Sequence, residues 1–418
     1  MAQRKKNGSA GNGDEKKPKK GRRPRGVDEN KWSTLDDRVV VAACMDVLAG
    51  ETMQTISERI WDRFKVYVDR VQVNKVLAEA GKRRILHLLA PKHDLLSQRM
   101  LDCFGAPRTS VDGESRKHKT IEVVKYADEP SLDHVANVAA AMTFDVIQEK
   151  FKTKKAHSRS ARKKTGVEPG EGSPYVHVGI GAGTTVRLIA RGLAARFRAE
   201  NHPPPVMLHA LSSGFLVDDP TTAPNAFFSF FDEIEGVRYK GLFSKPYVTT
   251  EEWKRACHEE VGVCEAANGK RDIDIIVTAL ASAQDDHGEL NRWMGEYSTY
   301  AHNTSDRLRE EGRVGDVMYR PFNPTGPIEL GNEIRAASLF ELEELVEFAA
   351  RPDTAVILVA GPCGSRGCGR SRDDALYPLL TEPALDVWTH LVTDVVTAEN
   401  VLSTREALIG APTASDDE

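Results

Sequence analysis

Cysteine is sparse in this sequence: 418 residues hold six, Cys44, Cys103, Cys257, Cys264, Cys363 and Cys368, scattered along the chain. That excludes a small disulfide-stapled scaffold and suits a reducing compartment. No apolar run approaches the ~18 residues a membrane span needs. No apolar stretch follows the basic N-terminus, so the start is not expected to be a secretion signal. A cytoplasmic chain without a membrane partner is the expectation. A large net charge is missing too; the balance is −5 at pH 7, which singles out no class of partner. Repeats of solenoid period are absent. So are a Walker loop and the third glycine of a dinucleotide fingerprint, and no cofactor is expected.

What is present suffices for a sizeable core. Hydrophobic residues make up 40% of the chain, and its length suits two or three domains. Charge is segregated rather than abundant. Residues 1–31 are rich in Lys, Arg, Gly and Pro with almost no apolar residues, and a disordered basic tail is expected there. It reads either as an arm lying on DNA phosphates or as a solvated extension. Residues 408–418 are expected to be a flexible acidic tail, ending Ser415-Asp416-Asp417-Glu418.

Residues 32–105 read as a helical domain. Leu35, Val39, Ala42, Ala43 and Met45 recur at helical spacing up to Gly50. Ile56, Ile60 and Phe64 share a face of a second helix from Thr52, and Val73, Val76, Leu77 and Ala80 mark a third from Asp69 to Gly81. Arg84 to Leu89 predicts a short strand stopped by Pro91, and Leu95 to Phe104 a further helix. A polar linker, 106–119, follows.

From 120 to 407 the pattern changes to short apolar strands alternating with helices. Strands are predicted at Thr120–Val124, Val176–Ile180, Val206–Leu211, Ile273–Leu280, Val356–Val359 and His390–Thr393, and helices at Ser131–Phe151 and Thr184–Ala199. This implies an α/β domain, a doubly wound and mainly parallel sheet covered on both faces. Residues 152–173, basic and Ser/Gly-rich, read as an exposed insertion loop.

Three segments carry candidate chemistry. A strand runs into Gly181-Ala182-Gly183-Thr184-Thr185 and then a helix. Glycines let the backbone approach a ligand, and the helix start offers free amides that suit a phosphate; a plain βα turn with a Thr cap is the alternative. In the second segment, Asp316 follows Gly315 and suits sugar hydroxyls, while Arg320 suits a phosphate; a helix cap and a solvated arginine are the alternatives. The third, Val359 to Arg370, is a glycine-rich loop after a strand, where α/β sheets bind ligands. Gly361 and Arg366 are its candidates. Cys363 and Cys368, with four residues between them and no second pair nearby, predict no metal site. Asp285-Asp286-His287 reads as a solvated loop.

These pieces resemble the SorC family of sugar-binding transcription regulators. Ile180-Gly-Ala-Gly-Thr-Thr resembles the family's phosphate loop. Val314-Gly-Asp-Val-Met-Tyr-Arg-Pro-Phe-Asn-Pro-Thr-Gly resembles its Gly-Asp segment. Val359-Ala-Gly resembles the loop before a phosphate-contacting basic residue, and Leu391-Val-Thr-Asp-Val-Val-Thr-Ala-Glu-Asn-Val-Leu resembles the closing segment. The resemblance implies an effector domain similar to ribose-5-phosphate isomerase and glucosamine-6-phosphate deaminase. Its effector site would comprise Gly181, Ala182, Gly183, Thr184, Thr185, Asp316, Arg320, Gly361 and Arg366.

The resemblance also implies a winged helix-turn-helix ahead of that domain. Ile56-Ser57 and Val68 to Ala80 stand for its two helices, with about six extra residues, Trp61 to Val66, lengthening the turn. Asp69 and Asn74 stand where Ser is usual. Arg70, Gln72, Asn74 and Lys75 are the expected base or phosphate contacts, and Lys82 and Arg83 sit on the DNA backbone. The implied function is a DNA-binding transcription regulator, not an enzyme, that answers a phosphorylated sugar and assembles as a homodimer or homotetramer on double-stranded DNA. Two alternatives stay open. One is a sugar-phosphate isomerase or deaminase, although the isomerase's Asp-Gly-Ala-Asp and Lys-Gly-Gly-Gly segments are missing and only Asp285, Asp286 or His287 offers a base. The other is an interaction protein that has lost sensing.

Overall fold

The computed structural model describes residues 34–82, 91–106, 119–126, 130–165, 175–200, 202–214, 216, 218–296, 298–331, 334–365 and 367–410. The chain divides into two compact units, one before and one after residue 88. No helix among the described residues is long and apolar enough to cross a membrane.

The first unit packs α1 (Asp37–Leu48), α2 (Met53–Phe64) and α3 (Arg70–Lys82) around Val39, Val40, Ala43, Ile56, Ile60, Val68, Val73 and Val76. Each helix start is satisfied by a side chain. Asp36 accepts from the Arg38 amide at 2.9 Å and Thr52 from the Thr55 amide at 3.2 Å. Asp69 accepts from the amides of Val71 and Gln72 at 2.9 and 2.8 Å, while Gln72 accepts from the Asp69 amide at 3.1 Å. That reciprocal pair is a capping box. Arg59 of α2 bridges Asp46 and Glu51 at 3.0 and 2.7 Å, tying the second helix to the first.

Between α2 and α3 the chain turns at Lys65, whose φ is 58°. The Ser57 hydroxyl donates to the Val68 carbonyl at 2.5 Å and holds the turn. Here the sequence reading needs correction. Trp61 to Phe64 extend α2, so only Lys65 to Asp69 connect the helices, close to the three or four residues usual in a helix-turn-helix. The predicted wing strand and the basic tail lie outside the described residues.

The second unit begins with α4 (Asp94–Phe104) and β1 (Thr120–Val124), followed by α5 (Leu132–Thr165), β2 (Val176–Ile180), α6 (Thr184–Ala199) and β3 (Val206–Ala210). Next come α7 (Pro224–Phe227), β4 (Val237–Lys240), β5 (Tyr247–Val248), α8 (Thr250–Glu259), α9 (Val261–Gly269) and β6 (Ile275–Ser282). Then follow α10 (Glu289–Glu296), α11 (Ser298–Glu310), β7 (Gly315–Val317), β8 (Arg320–Asn323), β9 (Gly326–Pro327) and β10 (Arg335–Ala336). The chain closes with α12 (Leu342–Ala350), β11 (Ala355–Ala360), α13 (Asp373–Thr381), β12 (His390–Asp394) and α14 (Val395–Gly410).

The main sheet is parallel, in the order β1-β12-β11-β6-β2-β3-β4, with the short antiparallel strands β7, β8 and β9 attached to the end of β6. Alternate residues serve opposite cores. Ile276, Leu280, Val356 and Leu358 meet Met100 of α4, Leu345 of α12, Leu376 of α13 and Val401 of α14. Ile275, Val277, Ile357 and Val359 meet Val138 of α5 and Ile189 and Leu193 of α6. Burial on both faces is why these strands read as unbroken apolar runs. The closing segment is a structural device. Asp394 accepts from the Thr397 amide at 3.0 Å and from its hydroxyl at 2.7 Å, capping α14, while the Thr393 hydroxyl donates to the Ala360 carbonyl at 2.8 Å.

Three boundaries differ from the sequence reading. The helix at 94–104 does not belong to the N-terminal unit: Leu96, Met100 and Phe104 fill the sheet's core, and the Val123 amide donates to Ser97 at 2.9 Å. Residues 152–165 are not a loop but the last turns of α5. Lys154 there pairs with Asp274 at 2.6 Å, and the rest of the expected insertion, 166–173, lies outside the described residues. α14 continues to Gly410, into the expected tail.

A buried imidazole beside a half-buried one makes a test of this core. His177 Nδ1 and His209 Nε2, on neighbouring strands, lie 3.0 Å apart. Burial, then His177 and Lys240, push His209 down to about 3. Above pH ~6.5 the ring is neutral folded or unfolded; below it only the unfolded chain gains the proton, so stability falls by about 1.4 kcal/mol per pH unit toward pH 3. His209→Leu is expected to reduce the slope of stability against pH by nearly one proton between pH 6 and 4. An unchanged slope in urea melts would contradict the burial.

Candidate functional site

β2 and β6 lie side by side, but their successors part. β3 and β4 follow on one side of β2, and β11 and β12 on the far side of β6. At this reversal the Gly181 amide donates to the Val277 carbonyl at 2.9 Å. Crevices at such switch points are where open α/β sheets bind ligands. A cavity of about 170 Å³ sits here, walled by Gly183, Thr184 and Thr185, by the loop and helix start from Asp285 to Leu290, by Asp316 and Tyr319, and by Cys363 and Arg372.

Gly183 has φ 103°, open to glycine and strained for other residues, and it places the start of α6 against the cavity without any side-chain cap. The uncapped first turn leaves backbone donors for a ligand or solvent. Opposite it stand acidic groups. Asp316 is buried and paired with Arg313 at 2.6 Å; burial pushes its carboxyl up, against the pull of that arginine. The preceding residue must be small: a Cβ on Gly315 would lie 2.7 Å from the Ala281 carbonyl and 2.8 Å from Ala375. Asp285, 2% exposed, accepts from Arg372 at 3.2 Å, and Arg372 also donates to the Leu280 carbonyl.

The β7–β8 turn completes the wall. Met318 and Tyr319 both have positive φ, 53° and 62°, as in the hairpin turns that usually take Asn-Gly. Non-glycine residues hold such angles only where their surroundings enforce them. Here the buried Tyr319 hydroxyl donates to the Glu289 carboxylate. Burial pushes Glu289 up to about 7; the hydroxyls of Tyr319 and Thr222 oppose this, and Asp219 and Asp316 add to it. On the β11 side, Cys363 Sγ is 3.5 Å from His287 Nδ1, and burial with Asp285 nearby pushes its thiol up to about 11.

Of the predicted effector residues, Ala182, Gly183, Thr184, Thr185 and Asp316 line this cavity. Gly181 precedes it, and Gly361 is buried at the end of β11 without lining it. Arg320 is elsewhere. It borders a larger cavity of about 600 Å³ beside α8 and α12, into which no loop after β2, β6 or β11 opens. Its Nε is 2.7 Å from Glu341, and its other nitrogens donate to the Ala336 and Ser338 carbonyls. That guanidinium is a structural ion pair, not a phosphate fork. Two other cations of the larger cavity are also paired, Arg335 with the same Glu341 at 2.9 Å and Lys270 with Glu344 at 2.5 Å. The smaller cavity is the candidate because it lies at the switch point, with the loops after β2, β6 and β11 in its wall. Glu289, Tyr319 and Arg372 were missed. A lone Glu at a helix start looks like any first-turn acid. Asp285 was noticed but read as solvated, and it turns inward.

On the first unit, Arg70, Asn74 and Lys75 are exposed on α3, with Arg70 and Asn74 one turn apart on the same face. The carbonyl oxygen of Gln72 closes the capping box, so only its amino end is open to a base. Arg83, Arg366 and the side chain of Lys82 lie outside the described residues.

No family model matches the chain, and no curated protein matches it. Solved structures do. The full-length sorbitol operon regulator SorC from Klebsiella pneumoniae matches with a TM-score of 0.54 and 15% identity, over 88% of this chain and 99% of that one. A transcriptional regulator from Streptococcus pneumoniae TIGR4 matches with a TM-score of 0.52 and 12% identity, over 75% and 97%. A DeoR family transcriptional regulator from Listeria monocytogenes matches with a TM-score of 0.50 and 17% identity, over 74% and 98%. At such identities the likeness is one of fold, and the chain has the fold of these regulators.

Glu289 gives the site a measurable signature. A folded-state value near 7, above the ordinary 4.5, means the fold prefers the protonated acid. Its stabilising contribution is full below pH 4.5 and is lost as pH rises through 7. Glu289→Gln is expected to leave stability at pH 4 nearly unchanged and to raise it by about 1–3 kcal/mol at pH 8. Equal effects at both pH values would place the carboxyl in water.

Proposed function

We propose that the chain is a DNA-binding transcription regulator that senses a carbohydrate, with α3 reading an operator and the switch-point cavity taking the effector. The observation that carries this reading is the pairing, in one chain, of a helix-turn-helix bearing an exposed Arg70–Asn74–Lys75 face with a switch-point cavity lined by buried carboxylates. The likeness to full-length SorC, which spans most of the chain, supports it. Arg, Asn and Lys are residue types that bond base edges and phosphates in the major groove. Two copies would place their α3 helices one turn of DNA apart, about 34–36 Å, so the active species is a dimer or tetramer.

The cavity's chemistry favours hydroxyl groups. Asp316 and Glu289 offer acceptors for them, and Arg313 already pairs with Asp316. The uncapped start of α6 favours a second reading, an effector bearing a phosphate ester held by the Gly183–Thr185 segment. Glu289 separates the two, since it carries charge above pH 7 and then opposes a dianion nearby.

Thermal shifts with matched sugars and sugar phosphates at pH 6 and 8 test the site. A true effector at one hundred times its Kd is expected to raise Tm by about 5 °C. A neutral sugar does so at both pH values; a phosphate ester loses effect at pH 8 and regains it in Glu289→Gln. No shift by any compound at millimolar concentration would end the sensing reading. For DNA, selection from random duplexes is expected to enrich one site with the natural chain and none with the Arg70→Gln/Lys75→Gln variant, whose α/β unit should melt unchanged. Enrichment of the same site by that variant would remove α3 from the recognition role.

A further inference from the structure

The loop after β6 and the loop after β11 bring four metal-ligating side chains to one point. One ligand atom from each of Asp285, His287, Cys363 and Cys368 lies within 4.8 Å of all the others. His287 and Cys363 are 76 residues apart in sequence, so the fold, not local spacing, assembles the group. We propose that these four residues bind one divalent transition-metal ion of the zinc class, in a site with no open position, joining the two loops beside the switch-point cavity. The proposal stands whether or not that cavity takes a sugar.

Two of the six separations match a tetrahedron's edges. With metal–sulfur bonds of about 2.3 Å and metal–nitrogen or –oxygen bonds near 2.1 Å, tetrahedral angles separate sulfur from nitrogen by about 3.6 Å and nitrogen from oxygen by about 3.4 Å. His287 Nδ1 is 3.5 Å from Cys363 Sγ and 3.5 Å from Asp285 Oδ1. Two sulfurs, an imidazole and a carboxylate suit zinc and exclude magnesium and calcium, which take oxygen ligands.

The surroundings already orient the set. Arg372 holds Asp285 by Oδ2, and Oδ1, which accepts from the His287 amide at 3.1 Å, faces the histidine ring; outer partners aim metal carboxylates in this way. The Cys363 amide donates to the Arg370 carbonyl at 2.9 Å and the Cys368 amide to that of Ser365 at 3.0 Å, folding the loop so that both sulfurs meet. The His287 side chain is half-exposed and gives an ion a way in. A Cys–His–Asp nucleophile is the competing reading of three of these residues. That arrangement needs the carboxylate on the ring nitrogen opposite the thiol, whereas here sulfur and carboxylate both face Nδ1.

The test uses the full-length chain, reduced and stripped with a chelator, then titrated with Co²⁺ and with Zn²⁺. One equivalent of Co²⁺ is expected to give the intense visible bands of a tetrahedral site and a near-ultraviolet thiolate charge-transfer band. Zn²⁺ should bleach both stoichiometrically, and a hundredfold excess of Mg²⁺ should not. His287→Ala changes a half-exposed side chain and is expected to fold normally while weakening Zn²⁺ binding by about 100-fold or more, since even outer-shell partners are worth about 10–100-fold. Cys363→Ser/Cys368→Ser should lose the charge-transfer band. The proposal is overturned if the reduced chain takes up no Co²⁺ with a sulfur band, if the His287→Ala chain binds as tightly as the natural one, or if the double Cys variant keeps the band.

Discussion

The pairing of β2 with β6 sets the position of everything else at the site. The two strands are bonded in register, closed by the Gly181 amide on the Val277 carbonyl, yet the chain reaches β3 on one side and β11 on the other. Loops leaving two such strands diverge, because each must carry the chain to a different part of the sheet. The divergence opens the crevice, and the loops after β2, β6 and β11 supply its walls. The β7–β8 hairpin, bonded to the last residues of β6, closes one side. Residues from five separate stretches thus meet at one place because the sheet reverses there.

Charge inside that crevice is costly, and its retention bears on function. Asp316 and Arg313 are both nearly sequestered from water. A buried pair of this kind seldom adds stability over an apolar replacement, while removing one partner costs about 3–5 kcal/mol because the other charge is left unpaired. Asp285 and Arg372 repeat the arrangement in the same cavity wall. Core stability alone does not require two such pairs and a third acid, Glu289, at the end of a sheet packed otherwise with Val, Ile and Leu. Fixed acceptors in a dry crevice are what a polyhydroxylated ligand needs, since each hydroxyl must exchange a water for a partner of equal quality.

Every strand of the main parallel sheet except β4 was legible because burial on two faces leaves an unmistakable apolar run, and α1 to α6 because apolar spacing and markers such as Thr52, Asp69 and Gly50 set their ends; the short strands β5 and β7 to β10 and the helices α7 to α14 were not read. The end of α5 was not legible. Lys and Arg are good helix formers, but a helix turn without an apolar stripe looks in sequence like a solvated loop. The glycine turn and Asp316 were found from local chemistry. Arg320 was misassigned because a sequence shows a guanidinium but not Glu341, 21 residues on, that neutralises it. The grouping of Asp285 and His287 with Cys363 and Cys368 was invisible for the same reason: each half, taken alone, lacks the partners that give it meaning.

The turn at Met318 and Tyr319 is fastened to an acid of the cavity wall. Its backbone angles are unfavourable for residues other than glycine, and the bond from Tyr319 to Glu289 is among the interactions that hold them. Glu289 also lines the cavity. Tyr319 takes one carboxylate oxygen, Oε2, while Oε1 is buried without a hydrogen-bond partner and faces Gly183 at the start of α6. A buried acceptor left unpaired costs about 1–3 kcal/mol. One carboxyl thus holds the turn with one oxygen and presents the other to the cavity, where a donor recovers that cost.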